Sequence, residues 1–369
     1  MQLPEFVLRF RDRMVARPDF RRWAGRFWAT RGMSRQRAAS LFDLAAGFVY
    51  SQILLACVQL DLFAILAEGP QPLPALARRL NLSERAAEQL LEAAASLGLV
   101  QHRQGGYGLG PLGGPMVGNE AIAAMVHHHG MLYADMADPL ALLRGEGGEG
   151  ALGRFWGYAD GGRRPGLASE DTAPYSALMA ASQPLVAAEI LDAYDLSRHR
   201  CLMDVGGGAG AFLQSAGERH PDLQLMLFDL PSVVELARAR LDGVGMLGRA
   251  QFHGGDFHTD SLPMGADVIS FVRVIHDHDD ENAQALLARA RAALPAGGSL
   301  LLAEPMAGTV GAEAMGAAYF NFYLHAMGSG RARTPQILIG MLRQAGFGHA
   351  RLLPTATPLQ TRLIHTIAV

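Results

Sequence analysis

The sequence contains no lysine, because arginine supplies all 32 of its basic residues, and it contains only two cysteines. Cys57 and Cys201 stand in apolar surroundings without the spacing of metal ligands. They exclude a disulfide scaffold and fit a reducing compartment. The formal net charge of −3 gives no whole-protein reason to expect nucleic acid as a partner.

Long uninterrupted apolar runs are also missing. The first 30 residues are studded with arginine, so we expect no signal peptide. The most apolar stretch, Leu41–Leu66, contains Asp43, Gln52, Gln59 and Asp61, which predicts one or two buried helices and a poor membrane span. With 369 residues, half of them hydrophobic, the chain is long enough for two domains. We therefore expect a soluble, cytoplasmic protein.

Residues 1–40 form a basic, aromatic arm, with ten arginines against three acidic residues and with six interleaved aromatic side chains. Such a segment can lie on an anionic membrane surface. The favoured alternative is an arm that packs on a partner subunit and keeps its arginines solvated.

Residues 41–118 have the helix, helix, helix, hairpin order of a winged-helix domain. Ser83 is placed to cap a helix over Glu84–Leu97, and Gln101–Leu109 is typical of a hairpin. Segment 83–97 would be the recognition helix of a DNA-binding module, but it holds three glutamates and one arginine. Phosphate contacts need the opposite charge. We therefore predict a homodimerisation domain and no nucleic acid.

Residues 119–195 are predicted to be a helical connector that contributes to the substrate pocket. His127, His128 and His129 are adjacent, and neighbouring side chains on a helix point about 100° apart. They cannot converge on one ion as an i, i+4 pair does. We predict packing or pocket lining, and no metal site.

Residues 196–369 are predicted to be the catalytic domain, and the segment from Cys201 to Gly210 is its central motif. It combines a short apolar strand, a glycine turn and a helix that starts near Ala211. Gly206 and Gly208 let a ligand approach bare backbone, and the N–H groups of the helix start favour a negative group. This fits a nicotinamide enzyme, a methyltransferase or a βα turn without ligand.

Downstream, strands alternate with helices, which predicts a Rossmann-like, doubly wound α/β sheet with a C-terminal antiparallel hairpin. The predicted later strands are Leu223–Leu230, Gln251–Phe252, Val268–Val272, Ser299–Ala303 and two strands within Ala350–Val369.

The carboxyl ends of these strands carry polar residues, where open α/β sheets bind ligands. Asp229 ends the second strand and can accept two ribose hydroxyls. Asp256 and Phe257 follow the third strand, where an adenine would lie, although Asp256 also suits an Asx turn. His276 follows the fourth strand and is placed as a general base. Glu304 ends the fifth strand and can hold the imidazole.

Asp277 suits two roles, orienting His276 or capping the next helix. The acids that follow it, residues 279–281, are predicted to open that helix and offset its dipole.

Together these segments resemble the class I S-adenosylmethionine (SAM)-dependent O-methyltransferases of the plant-type small-molecule family. The matching motifs are Asp204-Val205-Gly206-Gly207-Gly208, Phe228-Asp229-Leu230-Pro231, Gly255-Asp256-Phe257, Val274-Ile275-His276-Asp277, Ala303-Glu304-Pro305, Gly330-Arg331-Ala332-Arg333-Thr334 and Ala345-Gly346-Phe347. The resemblance implies SAM as cofactor and a dimerising N-terminal half.

The resemblance also implies roles for individual residues. The methionine carboxylate of SAM would lie on the Gly206–Gly210 loop. Asp229 with Leu230 would bind the ribose, and Asp256 with Phe257 the adenine. His276 would be the base, with Glu304 and Asp277 beside it. The implied substrate contacts are Met179, His325 and Met327.

The chain departs from the family pattern at two points. His278 stands where the family usually has tryptophan. Residues 335–337 lack the second glutamate that usually faces the histidine, so His276 would be held by Glu304 alone.

The N-terminal half most resembles carotenoid methyltransferases of phototrophic bacteria, which act on the 1-hydroxyl of acyclic carotenoids. The resembling stretches are 40–63 and 131–145. We therefore predict an apolar carotenoid acceptor. The arm would help the enzyme reach a membrane-dissolved polyene if it makes peripheral contact with the membrane, the alternative to packing on a partner subunit. The alternatives are another apolar acceptor, such as a bacteriochlorophyll precursor or an aromatic hydroxyl, and a SAM-sensing winged-helix regulator.

Overall fold

The computed structural model describes residues 4–146, 148, 150–155, 182–358 and 361–369. The chain divides into two compact units, Met1–Asn119 and Glu120–Val369. The finer division expected above, at residues 40, 118 and 195, stays a prediction.

The N-terminal unit is a helical domain that ends in a hairpin. Its elements are α1 Glu5–Ala16, α2 Pro18–Arg26, α3 Arg31–Gln59, α4 Leu62–Ala67, α5 Leu73–Arg79, α6 Glu84–Ser96, β1 Val100–Arg103 and β2 Gly106–Leu109. The Oγ of Ser83 accepts a hydrogen bond from the Ala86 N–H at 3.2 Å, so Ser83 caps α6 as expected. The order α4, α5, α6, hairpin agrees with the winged-helix prediction.

Helix α3 corrects one expectation. Its apolar stretch was predicted to be buried, but among its 29 residues only Cys57 and Val58 are buried. Leu44 is 82% exposed, and Phe42 and Phe48 are exposed as well. Despite its polar interruptions, α3 is also long and apolar enough to cross a membrane, by length and composition alone. Hydrophobicity predicted a buried helix, but within the described residues of this unit most of the apolar side chains of α3 are exposed.

The C-terminal unit is an α/β domain. Its helices are α7 Glu120–Asp135, α8 Pro139–Arg144, α9 Ala151–Phe155, α10 at 182–193, α11 Ala211–Arg219, α12 Pro231–Gly243, α13 Asp280–Ala293, α14 Asn321–Met327 and α15 Pro335–Gln344. Its strands are β3 Cys201–Val205, β4 Gln224–Asp229, β5 Ala250–Gly254, β6 Val268–Val272, β7 Ser299–Glu304, β8 Phe347–Leu353 and β9 Arg362–Ala368.

The seven strands of this unit form one sheet in the order β5-β4-β3-β6-β7-β9-β8. Strands β3 to β7 are parallel, while β9 pairs antiparallel with both β7 and β8. The doubly wound sheet with its closing hairpin is thereby confirmed. Strands β3, β6 and β7 are buried along their whole length, because helices cover both faces. The strand order reverses at β3 and β6, so their carboxyl ends flank a crevice.

Candidate active site

The turn after β3 depends on glycine. Gly206, Gly208 and Gly210 have φ of 69°, 57° and 74°, a region that side chains with a Cβ rarely adopt. A Cβ on Gly206 would lie 2.9 Å from Cγ2 of Val274. Around Gly208 a Cβ would meet nothing within 4 Å. The loop therefore has open space on its Gly208 side, directly before the N-terminus of α11.

Asp229 ties this loop to the end of β4. Its Oδ2 accepts the Gly208 N–H at 2.8 Å, and its Oδ1 accepts the Leu230 N–H at 2.7 Å. Burial raises the pKa of this carboxyl to about 6, although both N–H bonds favour the ionised form. Each carboxylate oxygen retains a second lone pair, so Asp229 can hold the loop and accept ribose hydroxyls at the same time. That binding role stays a prediction.

Asp204 was noted in the sequence as part of the glycine motif, but no role was predicted for its side chain. Its Oδ1 accepts the Ser270 hydroxyl at 2.6 Å, while its buried Oδ2 has no hydrogen-bond partner among the described residues. A Cβ on Gly207 would lie 2.5 Å from that oxygen, so Asp204 lies directly beneath the loop. Burial raises the pKa of Asp204 to about 7. A single acid inside an otherwise apolar strand was the available signal.

Asp256 and Phe257 follow β5, as predicted. The Oδ1 of Asp256 accepts the His258 N–H at 2.8 Å, which is the turn contact considered as the alternative to adenine binding. The ring of Phe257 has His258 and His278 as neighbours, with centroids at 4.8 Å and 5.3 Å. Burial lowers the pKa of His278 to about 3, so this imidazole is neutral and serves as an aromatic wall.

His276 lies in a 3₁₀ turn, Ile275–Asp277, that follows β6. Its Nδ1 is 2.5 Å from Oε2 of Glu304, and its Nε2 is 3.1 Å from Oδ1 of Asp277. The expectation that Glu304 alone holds the imidazole was therefore wrong, because the tight turn folds the neighbouring Asp277 back onto the ring. Asp277 does not cap α13, whose N-cap is Asp279.

Glu304 is fixed by the backbone of the same turn. Its Oε1 accepts the N–H groups of Val274 at 3.1 Å and Ile275 at 2.7 Å. Both its oxygens are thus engaged, one with the turn and one with the imidazole. This is the arrangement that fixes the tautomer of a catalytic histidine with the proton on Nδ1.

The protonation of His276 reflects two opposing effects. Burial lowers the pKa of the imidazole, but the charges of Asp277 and Glu304 and the bond to Glu304 outweigh it and raise the pKa above its usual value. Burial also raises the pKa of Asp277 to about 6. The two carboxylates that contact the imidazole therefore favour its protonated form.

Residues 329–333, here called the clasp segment, hold the turn from outside. The Arg331 N–H donates to the His276 carbonyl at 2.9 Å, and the Ser329 hydroxyl donates to the Asp277 carbonyl at 2.8 Å. The guanidinium of Arg333, 2% exposed, donates to the carbonyls of Ile275 at 2.9 Å and His278 at 2.7 Å. His276 is therefore held in place through its main chain.

A π-helical segment, Met315–Phe320, brings an aromatic ring against the base. The ring of Phe320 meets that of His276 edge to face, with centroids 6.0 Å apart. Sequence reasoning missed Phe320, since the wider helical turn that presents it leaves no periodic signature.

The histidine run on α7 packs against the helical region around Phe320. Nε2 of His129 lies 2.7 Å from the Tyr319 hydroxyl, and Nε2 of His128 lies 2.6 Å from that of Tyr323. These two histidines therefore hydrogen-bond to tyrosines, in agreement with the packing interpretation.

The three predicted substrate residues are untested. Met179 lies outside the described residues. Met327 is buried in an apolar cluster with Leu152 and Tyr323. His325 is exposed, and its Nε2 is 3.2 Å from the Leu142 carbonyl oxygen. All three assignments stay predictions.

Comparison with known proteins agrees with this geometry. The O-methyltransferase domain family matches residues 134–348, and the O-methyltransferase dimerisation domain matches residues 42–118. The chain belongs to the SAM-dependent O-methyltransferase family, and its cofactor is SAM.

Similar proteins include methyltransferases of different acceptors. Demethylspheroidene O-methyltransferase of Cereibacter sphaeroides is 44% identical over 332 residues, covering 89% of this chain and 86% of that protein. Acetylserotonin O-methyltransferase of Mus musculus is 32% identical, covering 87% and 88%. Human N-acetylserotonin methyltransferase in complex with SAM superposes with a TM-score of 0.72 and 25% identity over 90% of this chain and 98% of that one.

The residues around the glycine loop fit this cofactor. The open space at Gly208 and the N–H groups that begin α11 suit a carboxylate. Oδ2 of Asp204, which has no hydrogen-bond partner among the described residues, is a buried acceptor beneath the loop. Asp229 offers the acceptor that a ribose hydroxyl requires.

Proposed function

We propose that the enzyme transfers a methyl group from SAM to the 1-hydroxyl of an acyclic carotenoid of the demethylspheroidene or hydroxyneurosporene type. The observation that carries this proposal is the 44% identity to a demethylspheroidene O-methyltransferase over most of both chains. The site supports it, because a buried histidine held by two carboxylates lies at the crevice of a SAM-binding fold.

His276 would act as the general base. SAM supplies an electrophilic methyl group on its sulfonium. Glu304 keeps the proton on Nδ1, so Nε2 would be the nitrogen that accepts the hydroxyl proton while the new carbon–oxygen bond forms and the carbon–sulfur bond breaks. For this the hydroxyl would take the place of Oδ1 of Asp277, which lies 3.1 Å from Nε2. A tertiary alcohol is too weak an acid to ionise beforehand, so both events belong to one step. Asp277 would stabilise the imidazolium that results.

Aromatic packing would keep water from the base. Phe320 covers one edge of His276, and the imidazole is largely buried. The remaining contribution to rate would come from holding hydroxyl and methyl in line.

The assembly would be a homodimer through the N-terminal unit, which the dimerisation family matches. Because the proposed acceptor dissolves in lipid, the enzyme would work at a membrane surface and contact it through residues 1–40.

Mass spectrometry of pigments tests the proposed function. The chain is coexpressed with a pathway that makes the hydroxylated carotenoid, and extracts should gain the mass of one methylene group. With purified enzyme, His276→Ala should lower turnover by about 10²- to 10⁴-fold, the usual contribution of a general base. SAM affinity, measured by calorimetry, should change little. An unmodified carotenoid with the intact chain, or equal losses of turnover and SAM affinity in the variant, would contradict the assignment.

A further inference from the structure

The arm of the N-terminal unit exposes an aromatic surface that its own fold leaves uncovered. No residue of α1 or α2 is buried. Phe20, Trp23 and Phe27 stack in sequence along one side of α2, with centroids 5.6 Å and 4.9 Å apart, and Trp28 continues the row. Trp28 is 77% exposed, and Phe10 on α1 is 66% exposed. Side chains this large and apolar are unfavourable in water unless another surface covers them.

The same arm is strongly basic. It holds ten arginines and three acidic residues, a formal charge of +7, although the whole chain carries −3. Its acids are neutralised locally, since Glu5 pairs with Arg9, Asp12 with Arg11 and Asp19 with Arg22. The surplus positive charge therefore lies on exposed arginines of the same arm.

We infer that α1, α2 and Trp28 form a docking face for an anionic lipid bilayer. Aromatic rings settle at the boundary between headgroups and acyl chains, while arginines extend their charge into the headgroups. The dimerisation family begins its match at residue 42, so the arm lies outside the segment assigned to subunit contact. This inference rests on the proposed membrane contact and identifies its residues and lipid class.

Vesicle cosedimentation with the full-length protein tests the docking face. The protein should bind vesicles containing phosphatidylglycerol and stay unbound with pure phosphatidylcholine. Replacing Arg21 and Arg26 by glutamine should weaken binding about 30-fold, since each arginine contributes roughly fivefold at an anionic surface. Binding should also weaken as salt is raised. Arg198→Gln with Arg343→Gln removes the same charge from the other unit and should leave binding unchanged.

A second pair of variants separates insertion from simple charge attraction. Phe10→Ser with Trp28→Ser should weaken binding at least tenfold, because each ring leaves the acyl boundary. Both side chains are exposed, so folding should be unaffected. Met264→Ser with Val310→Ser, both exposed in the other unit, serves as control.

Three outcomes would overturn the inference. They are absence of binding to anionic vesicles, equal binding of the arm variants and their controls, and a fall in molecular mass by light scattering for the arm variants, which would make the arm a subunit contact. Methyl transfer to a detergent-dissolved acceptor is measured in parallel. If that activity is missing while vesicle binding is intact, the proposed reaction fails and the docking face stands.

Discussion

In this site, the pKa values of the acidic residues depend on burial more than on residue type. Asp204, Asp229 and Asp277 are all ordinary aspartates with raised pKa values, because each is enclosed. His276 differs, since two carboxylates reverse the effect of its burial on its pKa.

Removing the charge of Asp277 should change the pH dependence of the reaction. Asp277→Asn takes away one of the two carboxylates that raise the pKa of His276, so that pKa falls. Because the neutral imidazole is the active base, the acidic limb of kcat/KM against pH should move to lower pH. Glu281→Gln removes an exposed charge on α13 and should leave the limb in place. A limb that stays or moves upward in the Asp277 variant would exclude this role.

Asp204 should destabilise the ligand-free protein at high pH. Its folded-state pKa of about 7 lies above the unfolded value of about 3.9, so ionising it in the fold costs free energy. The penalty is absent below pH ~4, grows between the two pKa values and is complete above about pH 7. Asp204→Asn should therefore raise the free energy of unfolding at pH 8 by at most about 4 kcal/mol.

Chemical denaturation at pH 4 and pH 8 measures this effect on Asp204. The increase in the free energy of unfolding should become smaller towards pH 4. Asp222→Asn, at an exposed site, should show no such trend. A stability difference that is the same at both pH values would indicate a packing effect instead.

Among the elements, the glycine turn after β3 and the clasp segment have complementary functions. The first leaves space for a ligand, while the second removes freedom from the turn that carries the base. The sequences of the two segments indicate which backbone conformations are needed. They do not indicate where space for a ligand stays open.

Two alanine substitutions in the glycine turn should separate an effect on the free energy of unfolding from an effect on SAM affinity. Gly208→Ala costs about 1–2 kcal/mol for its positive φ and places a methyl group in open space, so SAM affinity should fall at least tenfold. Gly206→Ala pays the same conformational cost and also clashes with Val274, so its unfolding free energy should fall further, by about 1–3 kcal/mol. Calorimetry and thermal unfolding measure both. Equal stability of the two variants would contradict the clash between a Cβ at position 206 and Val274.

Much of the architecture could be predicted from local pattern. Strand β6 has the predicted bounds, because four of its five residues are apolar and the charged residues Asp267 and Arg273 flank it. The cap at Ser83 and the hairpin β1–β2 follow from short-range chemistry. The contact of Asp277 with the imidazole depends on the geometry of a 3₁₀ turn. The position of Phe320 depends on the register of a π-helix. Sequence periodicity predicts neither of these two geometries.

At the scale of the whole molecule, α3 shows the limit of such reasoning. Apolar content predicted that this helix is buried, yet among the described residues of its own unit most of the helix stays exposed. The dimerisation family match begins at Phe42, within α3, which indicates a second copy as the cover.

A charge introduced on α3 should therefore dissociate the dimer. Leu44→Arg places a guanidinium at a side chain that is 82% exposed in the single chain. Since burial of a leucine contributes about 1.5–3 kcal/mol, the dissociation constant should rise at least tenfold. Light scattering across a dilution series measures the mass. Met264→Arg, at an exposed site in the other unit, should leave it unchanged, and a dimer that persists in both variants would place the interface elsewhere.

The clasp segment donates hydrogen bonds to main-chain carbonyl oxygens, and every residue type has a main-chain carbonyl. The main chain of the turn that carries His276 is therefore held whatever the side chains at positions 275–278, while Glu304 and Asp277 hold the imidazole itself. A substitution at position 278 should accordingly keep the main-chain carbonyl that Arg333 binds, whereas loss of Arg333 should free the turn that carries His276.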